Sequence, residues 1–166
     1  AVSALKANSG ISSRGPELGN SGFIVTAQLA DTLGGVGEVI REYRNGRDLT
    51  ERPRNVMVID LFGLDVDEAM QRYPNIYQHL LLNVKPERDV NRSETLRKFW
   101  WLHRRLREDL REMLHELPRY IATVETAKHR TFQFLDANVL PDNKIVAIAE
   151  SNAWFLGVLS SYAHNE

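Results

Sequence analysis

The chain has 166 residues, a formal net charge of −1, 43% hydrophobic residues and 26% charged residues. These values predict a globular protein with a buried core, of about the size of one domain. The absence of cysteine excludes disulfides and thiolate chemistry. No apolar run approaches the roughly 20 residues that a transmembrane helix requires, and the first residues lack the pattern of a signal peptide. We therefore expect a cytoplasmic protein with no membrane partner.

The order of the predicted elements favours a mixed α+β fold, with a small mixed or antiparallel sheet and several packed helices. Residues 1–21 are rich in Ser, Gly and Asn and predict a flexible segment ahead of a single domain that spans residues 22–166. A short strand is predicted at residues 22–25. Thr26 has the side chain of a helix N-cap, and a helix should follow it.

The next segment begins with a pair of glycines that ends this helix. The spacing of Ile40 and Tyr43 then predicts a second helix over residues 36–43, with both side chains inward and with Arg41 and Arg44 outward.

The centre of the chain alternates between turns and regular elements. Asn45-Gly46 predicts a turn that carries Arg47. The β-branched run at residues 56–61 predicts a buried strand that ends near Asp60, a carboxylate for which a loop or cap hydrogen bond is favoured over a functional role. Asp65 and Glu68 form a capping box at the start of a helix.

A further helix is predicted over residues 76–84, with Leu80 and Leu81 directed into the core. A charged loop is predicted over residues 85–92, which would expose Lys85, Arg88 and Arg92.

A helix with adjacent tryptophans follows this loop. Its apolar residues have helical spacing and define an inward stripe of Leu96, Phe99, Trp100, His103 and Leu106. At 100° per residue, Trp101 projects away from that stripe and is surrounded by Lys98, Arg104 and Arg105. The pattern therefore predicts that Trp100 is in the core and that Trp101 is on the surface. A second helical segment with Leu110 inward should end at Pro118.

The C-terminal part predicts three strands and a last helix. Residues 119–124 and 130–135 both alternate, and the short connection between them favours a hairpin. Residues 144–149 predict the third strand, and residues 153–162 predict a helix.

Catalytic motifs are missing from the sequence. It has no P-loop, no glycine-rich dinucleotide fingerprint and no nucleophile elbow. The five histidines lack the spacing of metal ligands, and His103 on an apolar stripe is more simply a core residue. We therefore expect no catalytic residue and no metal site.

Positive charge is concentrated and rich in arginine. Residues 85–107 contain eight basic and three acidic residues, and only five of the 21 basic residues are lysine. Arginine binds phosphate oxygens and guanine edges in a bidentate manner, although several of these side chains could instead pair with nearby acids. The pattern favours a nucleic-acid partner. The predicted contacts to the DNA backbone are Arg41, Arg44, Arg47, Lys85, Arg88, Arg92, Lys98, Trp101, Arg104 and Arg105.

Several short motifs occur in an order that resembles one family. They are Gly22–Val25, Ile40–Asp48, Val58–Gly63, Tyr73-Pro74, Val84–Arg88, Trp100-Trp101, Pro118–Thr123, Lys128–Arg130, Leu140–Asn143 and Gly157–Ser161. Together they resemble the target-recognition region of the fused type II restriction–modification enzymes, which join an endonuclease and an N6-adenine DNA methyltransferase in one chain. Leu102–Arg105 departs from the glycine- or proline-containing link that the family often has after the tryptophans.

The resemblance implies that the chain is a fragment of a longer protein and recognises double-stranded DNA in a sequence-specific manner. It implies base contacts by Glu125, Lys128, His129 and Arg130 in the hairpin connection. No cofactor is expected in the fragment. The parent chain is expected to be an S-adenosylmethionine-dependent DNA adenine methyltransferase of a prokaryotic cell, with its methyltransferase domain as a partner of this region. Whether the parent chain also cleaves DNA is left open.

Two alternatives compete with this interpretation. One is a protein-interaction or scaffold domain that uses Trp101 and its basic neighbours. The other is a stand-alone hydrolase that uses Asp60 and a histidine. DNA recognition is the leading interpretation of the three, and the hydrolase is the weakest.

Overall fold

The computed structural model describes residues 10–127 and 130–161. It has the mixed α+β architecture that the sequence predicted, with short helices and antiparallel strand pairs. Across these two ranges, every helix is too short or too polar to span a bilayer. The strands are β1 Ser12–Arg14, β2 Ile24–Thr26, β3 Ile40–Arg44, β4 Val56–Ile59, β5 Arg119–Val124, β6 Gln133–Asp136, β7 Leu140–Pro141 and β8 Ile145–Ile148.

The helices are short, and most of them begin at a residue whose side chain caps the first turn. They are α1 Ala27–Leu33, α2 Gly46–Thr50, α3 Val66–Arg72, α4 Pro74–Asn83, α5 Lys85–Asp89, α6 Glu94–Lys98, α7 Glu108–Leu114 and α8 Ala153–Leu159. The predicted cap at Thr26 is confirmed, since its hydroxyl accepts the amide of Leu29 at 3.2 Å. The capping box of Asp65 and Glu68 is confirmed as well.

The described part of the chain divides into two compact units. Unit 1 is built from the described residues of Ala1–Gly15, Arg44–Arg54 and Arg107–Glu166. Unit 2 consists of Pro16–Tyr43 and Asn55–Leu106. Each unit therefore assembles segments that are distant in sequence.

Unit 1 contains an antiparallel sheet with the strand order β1-β8-β5-β6. The predicted hairpin is confirmed, because β5 and β6 pair with Tyr120 opposite Leu135. The presence of β1 corrects the prediction of a loop for this part of residues 1–21. Three residues pair directly with β8 there, and such pairing depends on residues far away in the sequence.

The two faces of this sheet have different roles, since successive side chains of a strand point to opposite sides. One face carries Tyr120 and Ala122 into the core of unit 1, where they cluster with Leu110 of α7 and Ala147 of β8. The Tyr120 hydroxyl donates to the carbonyl of Val139 at 2.9 Å, so its only polar atom is satisfied in the core.

Helix α2 corrects the predicted turn at Asn45-Gly46. The Asn45 side chain caps the helix by accepting a hydrogen bond from the amide of Asp48, and the Asp48 carboxylate accepts one from the amide of Asn45. The Asp48 carboxylate is buried and also accepts hydrogen bonds from three groups of Arg54, its backbone amide, its Nε and its Nη2, at 2.8–3.3 Å. These contacts connect α2 to Arg54 in the segment that follows the helix.

Unit 2 contains strands in the order β2-β4-β3, all antiparallel. The predicted strand at residues 56–61 is confirmed as β4, the middle strand of the three. The predicted helix over residues 36–43 is wrong, because residues 40–44 form β3 along β4. Ile40 and Tyr43 are buried as predicted. The three-residue spacing of Ile40 and Tyr43 is compatible with a helix. These residues form a strand because they pair with β4, which is distant in sequence.

The region of the tryptophans also differs from its prediction. Helix α6 ends at Lys98, and Phe99 has the non-helical angles φ −109° and ψ 46°. The 100° rotation per residue therefore does not extend to Trp101. Trp100 is buried as predicted, but Trp101 is only 7% exposed and its Nε1 donates to the carbonyl of Leu64 at 3.0 Å. The prediction of a surface Trp101 was wrong.

We expect the pH dependence of stability to reflect Asp48. Burial alone would raise the pKa of this carboxyl, but the hydrogen bonds from Arg54 and from two backbone amides, with the Arg54 charge, lower it from 3.8 to about 2. Because the pKa of Asp48 is lower in the folded than in the unfolded protein, the ionised carboxylate stabilises the fold when the pH is above the unfolded-state pKa. This contribution of roughly 2 kcal/mol is lost as the pH falls from about 5 to 2. Urea unfolding should show that the free energy of unfolding of wild type exceeds that of Asp48→Asn by a large margin at neutral pH. This difference should disappear in acid. A difference of constant size would contradict the assignment.

We also expect Trp101 to stabilise unit 2. Trp101→Ala should lower the free energy of unfolding by about 3–5 kcal/mol, since it removes a large buried ring. Phe99 is 40% exposed, so Phe99→Ala serves as a matched control and should cost about 1 kcal/mol or less. Chemical denaturation followed by circular dichroism measures both. Equal costs for the two variants would show that Trp101 is not part of the core.

Candidate nucleic-acid interface

The end of the β5–β6 hairpin in unit 1 carries the residues that were predicted to contact bases. Glu125 follows β5, and its backbone amide donates to the carbonyl of Lys144 at 2.9 Å. Its carboxylate forms an ion pair with Arg14. Arg130 is exposed on the other side of the connection. Lys128 and His129, the other two predicted base contacts, lie outside the described residues.

A groove brings Glu125 and Arg130 together. It lies on the sheet face opposite the core of unit 1 and has a volume of about 370 Å³. That volume is within the range of small-molecule sites, which is roughly 300–1,000 Å³. Its floor consists of side chains from β1, β5 and β8, and its walls come from the hairpin and from α8. Its lining residues include Thr123, Glu125, Arg130, Phe132, Val146 and Phe155.

The sequence did not indicate two lining residues of this groove, Thr123 and Phe155, or Arg14, which pairs with the lining residue Glu125. Arg14 lies in the segment that was predicted as a loop, and Phe155 lies on a helix whose position is not encoded locally. Thr123 could have been found, because the alternation of residues 119–124 already separates Ile121 and Thr123 from the core residues. The pattern did not reveal that this second face would be partly covered.

Unit 2 exposes a separate group of cations, namely Arg92, Lys98, Arg104 and Arg105. Arg104 and Arg105 both reach the carboxylate of Glu17, at 3.0 and 3.2 Å. Exposed ion pairs of this kind contribute little to stability and can exchange partners at low cost. These guanidinium groups border a depression of about 350 Å³ and are accessible to a phosphate group.

Arg88 does not belong to this surface, which corrects its prediction as a contact to the DNA backbone. Residues 85–89 form helix α5 instead of a loop, and Arg88 is 1% exposed. Its Nη2 donates to the carbonyls of Leu18 at 3.0 Å and Leu102 at 3.4 Å. Burial lowers the pKa of Arg88. The guanidinium joins two chain segments of unit 2, so it stabilises the fold and cannot reach a ligand. Trp101 is excluded from the surface by its burial as well.

The remaining predicted backbone contacts are only partly accessible. Arg41 is half-buried with its Nη1 3.7 Å from Asp60, and Arg44 is half-buried too. Lys85 pairs with Asp89 at 2.6 Å and lies 5.8 Å from the centre of the Trp100 ring. Arg47, on α2 of unit 1, is exposed. Arg47 is therefore the most accessible of these four cations.

A buried polar pair in unit 2 bears on the hydrolase alternative. Asp60 Oδ1 lies 3.9 Å from His103 Nδ1, and both side chains are almost fully buried. The other ring nitrogen of His103, Nε2, is hydrogen-bonded to the carbonyl of Ile59 at 2.8 Å. His103 is 5% exposed, which confirms the prediction of a core histidine. In the part of the chain that the structure describes, no group of three or more His, Asp or Glu side chains could hold a metal ion. Asp60 and His103 are 7% and 5% exposed, so the pair lies inside unit 2.

Comparisons with known proteins give a likeness in fold. No protein-family model and no curated protein matches the chain. Among solved structures, the fold is similar to that of the Type IIL restriction-modification enzyme MmeI, which was determined in complex with DNA, with a TM-score of 0.71 and 16% sequence identity. The match covers 93% of this chain and 21% of that chain, so this chain spans about a fifth of the length of that enzyme.

Proposed function

We propose that this chain is a double-stranded DNA recognition module, the target-recognition part of a larger restriction–modification protein. The observation that carries the proposal is the fold likeness over 93% of the chain to a restriction-modification enzyme in complex with DNA. The order of the sequence motifs, from Gly22 to Ser161, supports the same assignment independently of the fold.

Contacts to the DNA backbone are assigned to the exposed cations Arg47, Arg92, Lys98, Arg104 and Arg105. Phosphate contacts position a protein on the duplex without reading its sequence. Arg104 and Arg105 are well suited to bind phosphate, because Glu17 orients both guanidinium groups. A phosphate group can replace the Glu17 carboxylate as their anionic partner. Arg88 and Trp101 are removed from the assignment, since both are buried.

Base contacts are assigned to the hairpin connection. Arg130 can donate two hydrogen bonds to guanine, and Glu125 can accept one from the amino group of cytosine. Arg14 holds the Glu125 carboxylate and so reduces the number of orientations that it samples. Lys128 and His129 belong to the same connection in the sequence and complete the proposed set.

The catalytic chemistry is assigned to other parts of the parent protein. We propose that this chain is not itself an enzyme and that a methyltransferase domain of the same parent chain binds S-adenosylmethionine and methylates adenine in a prokaryotic cytoplasm. An Asn-Pro-Pro-Tyr motif upstream in the same reading frame would support this. A competing role as a protein-interaction domain loses its original basis, because Trp101 is buried.

Salt-dependent binding to duplex DNA tests the proposed function. Wild-type protein should bind a random-sequence duplex, and the affinity should fall steeply between about 50 and 200 mM salt as counterions are released. Arg104→Gln with Arg105→Gln should reduce the slope of log K against log salt by about 2, one for each lost phosphate contact. Fluorescence anisotropy measures both quantities.

Arg72→Gln is the matched control for this experiment. Arg72 is exposed on α3 and packs on the neighbouring Tyr73 ring, outside the assigned set. It should leave the slope unchanged. Binding that does not respond to salt, or an equal effect of Arg72→Gln, would contradict the proposed backbone contacts.

A further inference from the structure

The groove of unit 1 has one feature that folding does not explain. Thr123 is 3% exposed, and its hydroxyl has no hydrogen-bond partner among the described residues. Buried polar atoms are nearly always paired, because an unpaired one loses its hydration without compensation. Valine has almost the same shape and would avoid this cost. A hydroxyl at the edge of a groove is instead well placed to bond to a ligand.

The register of the sheet places the Thr123 side chain on the face that carries the groove. Thr123 pairs with Val146, which in turn pairs with Arg14. Directly paired residues of antiparallel strands share a face, so these three side chains form a row across the sheet. This face is opposite to the one that carries Ala122 and Ala147 into the core. Thr123 and Val146 both line the groove.

The other walls provide flat apolar surfaces and charge. Phe132 from the hairpin and Phe155 from α8 line the groove, and both rings are half-buried. Arg130 lines the groove and is exposed. Arg14, whose side chain is 59% exposed, forms an ion pair with the lining residue Glu125. The groove thus combines stacking surfaces, one buried hydroxyl and two accessible cations.

We infer that this groove binds a single nucleobase that is not stacked on its neighbours. The planar ring would pack on Phe132 or Phe155, and a polar edge would bond to the Thr123 hydroxyl. The adjoining phosphate would lie near Arg14, and Arg130 would remain available to a base edge. Stacking on aromatic side chains, edge hydrogen bonds and nearby cations are the features by which proteins bind unpaired bases. The inference rests on the proposed function for its source of bases, a strand of DNA. A free nucleotide has the same chemistry and is the other source.

Nuclear magnetic resonance of methyl groups tests the inference directly. The probes are the four deoxynucleoside monophosphates and a random-sequence single strand of about ten nucleotides. A bound base should shift the methyl signals of Val146, Ile148 and Thr123 by its ring current. Binding of a mononucleotide as tight as that of the single strand points to a free nucleotide as the ligand. Tighter binding of the single strand than of any mononucleotide points to DNA.

A pair of isosteric variants separates binding from folding. Thr123→Val should keep or raise the melting temperature, because it removes an unpaired buried hydroxyl, yet it should weaken the tightest-binding probe roughly 3- to 10-fold, as expected for one hydrogen bond. Thr131→Val is the matched control, since Thr131 is exposed beside the groove without lining it. It should leave probe affinity unchanged.

The outcomes distinguish this inference from the proposed function. Unmoved groove methyl signals with every probe, or equal affinities of wild type and Thr123→Val, would overturn the inference. If wild type also bound duplex DNA in a salt-dependent manner, the proposed function would survive that result. Nucleotide binding that is weakened by Thr123→Val, without any duplex binding, would support the groove and contradict the proposed function.

Discussion

The alternation of side chains along β5 is the constraint on which the candidate site depends. Tyr120 and Ala122 are fixed in the core of unit 1, so Ile121 and Thr123 must face the opposite side. A shift of register by one residue would bury Thr123 in the core and expose Tyr120. Because core packing opposes such a shift, the same apolar contacts that stabilise the unit also position the groove and the hairpin end beyond it.

Local signals in the sequence predicted much of the fold. The caps at Thr26 and Asp65 were correct because the hydrogen bonds of a first turn join residues only two or three positions apart. Strand β4 and the hairpin of β5 and β6 were correct because β-branched content and alternation are also read over a few residues. These features need no knowledge of distant parts of the chain.

The errors arose where distant residues decide the outcome. Residues 40–44 became a strand because β4 pairs with them. Arg88 is buried because the carbonyls of Leu18 and Leu102 surround its guanidinium, and no local pattern encodes that environment. Trp101 was placed by extending a helix beyond its actual end at Lys98. For the same reason the sequence indicated Glu125 and Arg130 as a site but did not reveal the groove that they share.

We propose that the hairpin connection reads bases while other cations hold the phosphates. Selection of binding sites from a random duplex library tests it most directly, with wild type compared with Arg130→Ala. Wild type should enrich one short motif. Arg130→Ala should lose the preference at one position of that motif, at a cost of about 1–3 kcal/mol, while its dependence on salt stays almost unchanged. Enrichment of no motif by wild type, or of the same motif by both proteins, would contradict the account.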